Sequence, residues 1–289
     1  MKALLHEIRL SLIALQFLTR VPVPAWVGFQ PAWLQECLRY FPLVGAVVGL
    51  GGALVLAAAA WWWPPTVAVV MSMAFTIWLT GAFHEDGWAD TCDGLGGAAS
   101  RERALAIMKD SRIGTYGALG LILMLGLKAA VLISLATPLF SELDSAESSH
   151  VRQVLMAWTM MGLVWCHAAS RLVPVWLIRL LPYAGDKDHA KAKPLAMRVS
   201  WIEVLIATAV TSLIALVMLM CFGQTGWPVD TLMSALLSAS SAMVIGAVVC
   251  GRWFWRRLGG FTGDTLGASQ QIAEVLGLLA WLMVVHPVG

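Results

Sequence analysis

The sequence predicts an all-α, polytopic membrane bundle of about seven transmembrane helices, with an N-terminal helix that is interfacial or re-entrant. Three observations carry that expectation. Of the 289 residues, 59% are hydrophobic and 12% are charged, about half the roughly 25% charged content of soluble domains, and the mean hydropathy is +0.78. Apolar runs long enough to cross a hydrocarbon core, which takes roughly 20 helical residues, recur along the whole chain. Basic residues gather at alternate ends of those runs. No repeat or low-complexity tract divides the chain, so residues 1–289 are expected to form a single integral membrane domain.

The first segment, 3–18, is short and amphipathic, and His6, Glu7 and Arg9 interrupt it, so it reads as a helix at the interface rather than a span or a cleaved leader. Spans follow at about 41–63, 66–84, 114–137, 154–178, 202–222, 231–250 and 270–286. The WWWPPT turn at 61–66 sets an aromatic belt beside two prolines, a tight hairpin at the membrane surface. With the N-terminus in the cytoplasm and the C-terminus in the periplasm, the inner segments are 1–40, 85–113, 179–201 and 251–269. They hold sixteen of the nineteen Lys and Arg; Lys128 and Arg171 lie within spans and Arg152 at an outer edge. Glu142, Asp144, Glu147 and Asp230 fall on the outer side. A basic bias of this kind sets topology, so the formal charge of +2 implies no nucleic-acid partner.

The same arrangement brings the unusual polar motifs to one face of the membrane. In HEDGWADTCDGLGG (84–97), Asp86, Asp90 and Asp93 fall at i, i+4 and i+7, one face of a helix, with His84 and Glu85 just before them. Stacked carboxylates near a low dielectric repel unless a cation neutralises them, and hard oxygen donors without cysteine suit magnesium or manganese rather than zinc. A solvated acidic loop is the plainer reading. In IMKDSRIGTYGALG (107–120), Lys109, Asp110 and Arg112 precede a helix that starts near Gly114 and Thr115. That pattern reads as a phosphate site at a helix N-terminus or equally as a basic membrane anchor. GGFTGDTLGASQQIAE (259–274) places Thr262 and Asp264 in a glycine-threonine loop opening the last span. Asp264 could complete a metal site, or the loop could simply cap the helix. Glu274 lies inside that span, where a carboxylate faces the bundle interior. His167 and Arg171 stand at i, i+4 on the fourth span, facing a polar interior or, for Arg171, reaching back to the surface.

The five cysteines, Cys37, Cys92, Cys166, Cys221 and Cys250, form no C-x-x-C pair, which argues against disulfides and zinc. There is no P-loop, and His84-Glu85 is not followed by the H-E-x-x-H pattern of a zinc protease. Carboxylates, basic residues and glycine-rich helix starts at one interface are the equipment for metal-assisted displacement at phosphorus.

At FLTRVPVP (17–24), FPLVGAVVG (41–49), HEDGWADTCDGLGG (84–97), IMKDSRIGTYGALGL (107–121) and GGFTGDTLGA (259–268) with Glu274, the chain resembles the adenosylcobinamide-GDP ribazoletransferase, or cobalamin (5'-phosphate) synthase, family. The likeness covers essentially the whole chain, and Trp88 stands where the family more often has an aliphatic residue. The resemblance implies a magnesium-dependent inner-membrane enzyme of cobalamin biosynthesis. In it a hydroxyl of alpha-ribazole, or of its 5'-phosphate, attacks the cobinamide-linked phosphorus of adenosylcobinamide-GDP and GMP leaves. It further implies metal ligands at Asp86, Asp90, Asp93 and Asp264 and catalytic roles for Glu85, Asp110, Lys109 and Arg112. Substrate contacts are expected from His84, Thr115, Arg171, Arg252, Thr262 and Glu274. Homo-oligomerisation, or assembly with other enzymes of the pathway, is left open. The rival readings are a CDP-alcohol-type membrane phosphotransferase and a secondary transporter or ion channel, the latter without the inverted repeat that would support it.

Overall fold

The computed structural model describes residues 2–137, 147–185, 198–223 and 229–285. Among them the chain forms α1 (Lys2–Leu18), α2 (Trp33–Glu36), α3 (Phe41–Ala59), α4 (Pro65–Thr80), α5 (Phe83–Gly97), α6 (Arg101–Met108), α7 (Thr115–Ala136), α8 (Glu147–Ser170), α9 (Leu172–Leu180), α10 (Trp201–Gly223), α11 (Val229–Leu258) and α12 (Gly263–Val285). The only extended pairing in these segments is an isolated bridge between Tyr183 and Phe261. Six segments are long and apolar enough to cross a membrane, and α4 with α5 makes a seventh if that bent pair is one span. The chain is a multi-pass membrane protein of the all-α class.

Helix α12 is the centre of the bundle, packing against α5, α7, α8, α9 and α11, while α3 lies along α8. The feature that shapes the candidate site is the break between α4 and α5, where the axis turns by 88°. Gly81 ends α4 in the left-handed region (φ 67°), with Ala82 N–H donating to Ile77 O at 2.9 Å, the usual glycine stop. Ala82 is also left-handed (φ 59°), the only non-glycine with positive φ among the described residues. Two such residues in succession swing α5 out of line with α4. Helix α1 secures the turn: Arg20 N–H donates to Leu79 O at 2.8 Å, and the Phe17 and Phe83 rings meet edge to face.

Three boundaries differ from the sequence expectation. Helix α11 runs to Leu258 and α12 begins at Gly263, so most of the expected inner segment 251–269 is helical. The apolar run stops near 250, but backbone hydrogen bonding continues until Gly259 caps the helix at φ 72°, its N–H on Trp255 O at 2.9 Å. The fourth span is interrupted at Arg171, between α8 and α9. A helix at 101–108, α6, was not expected; Ser100 caps it by accepting from Arg103 N–H at 3.2 Å. The basic residues Lys187, Lys191 and Lys193 and the acidic Glu142 and Asp144 lie outside the described residues.

Candidate active site

Helices α5 and α12 cross where neither carries a side chain. A Cβ on Gly87 would stand 2.8 Å from Asp264 O, and one on Gly267 would stand 3.3 Å from His84 O. This close approach sets the first turn of α12 beside the acidic face of α5. Asp86 is exposed, and Asp90 and Asp264 are half-buried. The like charge that Asp90 feels comes most from Asp264, then Asp86, then Asp93, and Asp264 feels Asp86. None of Asp86, Asp90 and Asp264 makes an ion pair or side-chain hydrogen bond among the described residues. Three such carboxylates form an acidic mouth that no ion pair among the described residues neutralises.

Asp93 shares their helix but turns elsewhere. Its Oδ2 accepts from Gly114 N–H and its Oδ1 from Gly117 N–H, both at 2.7 Å, and the side chain is buried. Those amides are the unpaired donors at the start of α7. The N-terminus of α7, read from the sequence as either a phosphate site or a basic membrane anchor, has two of its amides taken by a carboxylate of the chain itself. Asp93 points almost the same way around the helix as Asp86 but lies about 10 Å further along its axis, level with the start of α7 rather than with the mouth.

The loop before α7 holds Lys109, Asp110 and Arg112. Asp110 takes the Arg112 guanidinium in a fork, Nε–Oδ1 at 3.0 Å and Nη2–Oδ2 at 2.6 Å, and also accepts from Arg112 N–H at 3.1 Å. This pairing holds Arg112 above its ordinary pKa, although the guanidinium remains exposed. Lys109 and Thr115 are exposed on the same loop and helix start.

The remaining candidates divide between two places. Glu274 is buried and ion-paired with Lys128 of α7, with His167 Nδ1 at 3.1 Å and Arg171 Nη1 at 4.0 Å. Gln270 Nε2 donates to Glu274 Oε2 at 2.6 Å and to Ser170 Oγ at 2.9 Å. Gln271 Nε2 extends the chain of contacts to Glu85 Oε1 at 3.2 Å. His84 is buried too, and among the charges acting on it that of Arg171 is felt most. Arg171 thus faces the interior and does not reach the surface. Thr262 and Thr265 cap α12 reciprocally, Thr262 N–H on Thr265 Oγ1 at 2.8 Å and Thr265 N–H on Thr262 Oγ1 at 3.2 Å. Arg252 lines an apolar groove beside α10.

Sequence reasoning gave no site role to Lys128, Gln270 or Gln271 and read Arg101 and Arg257 only as inner-side topology charges. Lys128 carried a usable signal, a lone cation in the middle of an apolar span. Arg101 donates to Leu258 O (2.7 Å) and Ala184 O (2.8 Å), and Arg257 to Leu95 O (2.7 Å) and Ala98 O (2.5 Å). These two arginines pin α5, α6, α11 and the 181–185 turn together, work that a charge count alone would assign to topology.

For a metal, the donor chemistry of the mouth fits a hard divalent cation such as magnesium: carboxylate oxygens only, uncompensated and reachable from solvent. Among the described residues, however, no three His, Cys, Asp or Glu side chains stand gathered in ligating array.

Comparison with known proteins bears on the whole of this arrangement. The family model for cobalamin-5-phosphate synthase matches residues 10–282. An adenosylcobinamide-GDP ribazoletransferase of Leptothrix cholodnii is 52% identical, covering 98% of each chain. One from Albidiferax ferrireducens is 42% identical over 95% of this chain and 99% of its own, and one from Vibrio cholerae is 40% identical over 94% and 92%. No solved structure matches. Matched by that family model and by these relatives along nearly its full length, the chain belongs to the cobalamin-5-phosphate synthase family.

Proposed function

We propose that this chain is a membrane transferase that performs the reaction its relatives are named for, using the acidic mouth of α5 and α12 as a magnesium site. A hydroxyl of alpha-ribazole, or of its 5'-phosphate, forms the new bond to the cobinamide-linked phosphorus of adenosylcobinamide-GDP. The bond from that phosphorus to the bridging diphosphate oxygen breaks, and GMP departs. The observation that carries the assignment of the site is the set of three uncompensated carboxylates, Asp86, Asp90 and Asp264, at a single helix crossing.

Those three residues, not gathered in ligating array in this structure, would draw together to hold the ion, which would supply positive charge to the diphosphate oxygens and to the departing phosphate. Asp93 keeps the start of α7 in register with α5, and the exposed Lys109 and Arg112 on the adjoining loop offer cations to phosphate oxygens. Of the two candidate bases, Asp110 has both oxygens engaged by Arg112. Glu85 has one oxygen, Oε2, without a partner, so we assign the hydroxyl proton to Glu85. Concentration of Arg and Lys at the α5, α6 and α11 end supports a reading with this face in the cytoplasm of the inner membrane, the N-terminus inside and the C-terminus outside.

The test is GMP release by the purified chain in lipid nanodiscs, given adenosylcobinamide-GDP and alpha-ribazole 5'-phosphate, with and without magnesium. Magnesium-dependent GMP with an equal amount of cobalamin 5'-phosphate is expected. Folded protein that releases no GMP beside an active relative would overturn the reading. GMP release without any divalent ion would remove the metal from it.

A further inference from the structure

A groove of about 830 Å³ runs along the membrane face between α10 and α11, floored by α8 and α9. Its wall on α11 extends from Met233 to Arg252, about 28 Å at 1.5 Å per residue, close to the thickness of the hydrocarbon core. We propose that it is a binding site for one phospholipid, with acyl chain in the groove and phosphate on Arg252.

The chemistry of the lining selects that occupant. Besides Arg252 and the indole N–H groups of Trp165 and Trp176, the polar side chains are four hydroxyls, and each already donates to the carbonyl four residues earlier: Thr208 to Val204, Thr211 to Ala207, Ser212 to Thr208 and Ser240 to Leu236, at 2.6–3.0 Å. A nucleotide or a ribose would find almost nothing to satisfy its own polar groups here, and leaving them unpaired is costly. A hydrocarbon chain asks for nothing more than the groove offers.

The mouth is built for a headgroup. Arg252 is exposed at the wall, and Arg256, one turn further along α11, is exposed as well. Trp176, which lines the groove, meets Trp201 edge to face at 6.1 Å, and the Arg179 guanidinium lies 4.3 Å from the Trp201 ring centre. Tryptophan and arginine together mark the level of lipid headgroups, and basic pockets between spans attract anionic ones. Only the short 259–262 turn separates α11 from Asp264, so this headgroup site shares a membrane face with the acidic mouth.

The experiment is native mass spectrometry of the full chain in mild detergent, supplied with equal phosphatidylglycerol and phosphatidylcholine. The expected result is one retained phospholipid with phosphatidylglycerol preferred, and an Arg252→Gln variant that lowers that preference about fivefold. Ala247→Trp fills the groove and should abolish retention; Ala247→Leu, a milder plug, should reduce it, each checked for folding by melting and gel filtration. Bare wild-type protein, or equal retention in both Ala247 variants, would overturn the proposal. So would a dimer that the plugs dissolve while no lipid is bound, which would give the groove to a second copy. An unchanged preference in Arg252→Gln would overturn the assignment of the phosphate.

Discussion

Two groups of charged residues lie on the same helix, α12, and they are treated in opposite ways. Around Glu274 the chain supplies Lys128, His167 and Arg171, two glutamines and a serine, so the buried carboxylate is surrounded by partners. Around Asp264, ten residues earlier, the chain supplies more carboxylates. A charge buried in a membrane protein has to be paired, and the first group obeys. The second leaves repulsion standing at a place open to solvent. Partnered charges tie the helices of the bundle together, whereas the carboxylates at Asp264 have no partner among the described residues.

The sharpest way to break this comparison is to take away a partner in the lattice. Lys128→Met strands Glu274 in the bundle, and removing one member of a buried pair costs about 3–5 kcal/mol. Melting in detergent should show it, and adding Glu274→Gln should restore much of the loss. If Lys128→Met melts like the wild type, the lattice is not structural.

At the mouth the expected effect is on turnover rather than stability. Asp90→Asn and Asp264→Asn should each lower magnesium-saturated GMP release about a hundredfold or more while melting near the wild type or above it, because each removes a like-charge contact. Loss of fold with loss of activity would place these residues on the structural side.

Gly87→Ala tests the geometry without touching a carboxylate. The added Cβ meets the Asp264 backbone at 2.8 Å, so α12 has to shift away from α5. Turnover should fall about tenfold, in keeping with the sensitivity of catalysis to small misplacements, and the apparent affinity for magnesium should weaken with it. The smallest effect is expected at Thr262→Val, which removes one half of the reciprocal cap of α12 and should cost about 1 kcal/mol, read as a modest drop in melting temperature.

Much of this architecture was legible in the sequence because apolar length and basic bias are one-dimensional signals. The helical face carrying Asp86 and Asp90, the interior placement of Glu274 and the helix start at Thr115 all follow from spacing. What spacing could not reveal is where a helix points once its neighbours are in place. The 88° turn after Gly81 decides which carboxylates of α5 meet α12, and Asp93 looks equivalent to Asp90 until the α7 amides claim it. Likewise Arg101 and Arg257 look like topology signals until their carbonyl partners, more than 80 residues away in sequence, are seen. Lys128 and Glu274 were each visible as intramembrane charges, but not as a pair.

The central claim is that uncompensated carboxylates, and not the partnered ones, hold the divalent ion. Manganese binding to the protein in nanodiscs, followed by electron paramagnetic resonance without substrates, tests it most directly. The account predicts binding by the wild type, at least tenfold weaker binding in Asp90→Asn and Asp264→Asn, and near-wild-type binding in a folded Lys128→Met/Glu274→Gln double variant. Unchanged manganese affinity in both aspartate variants, or loss of binding only in the double variant, would contradict it.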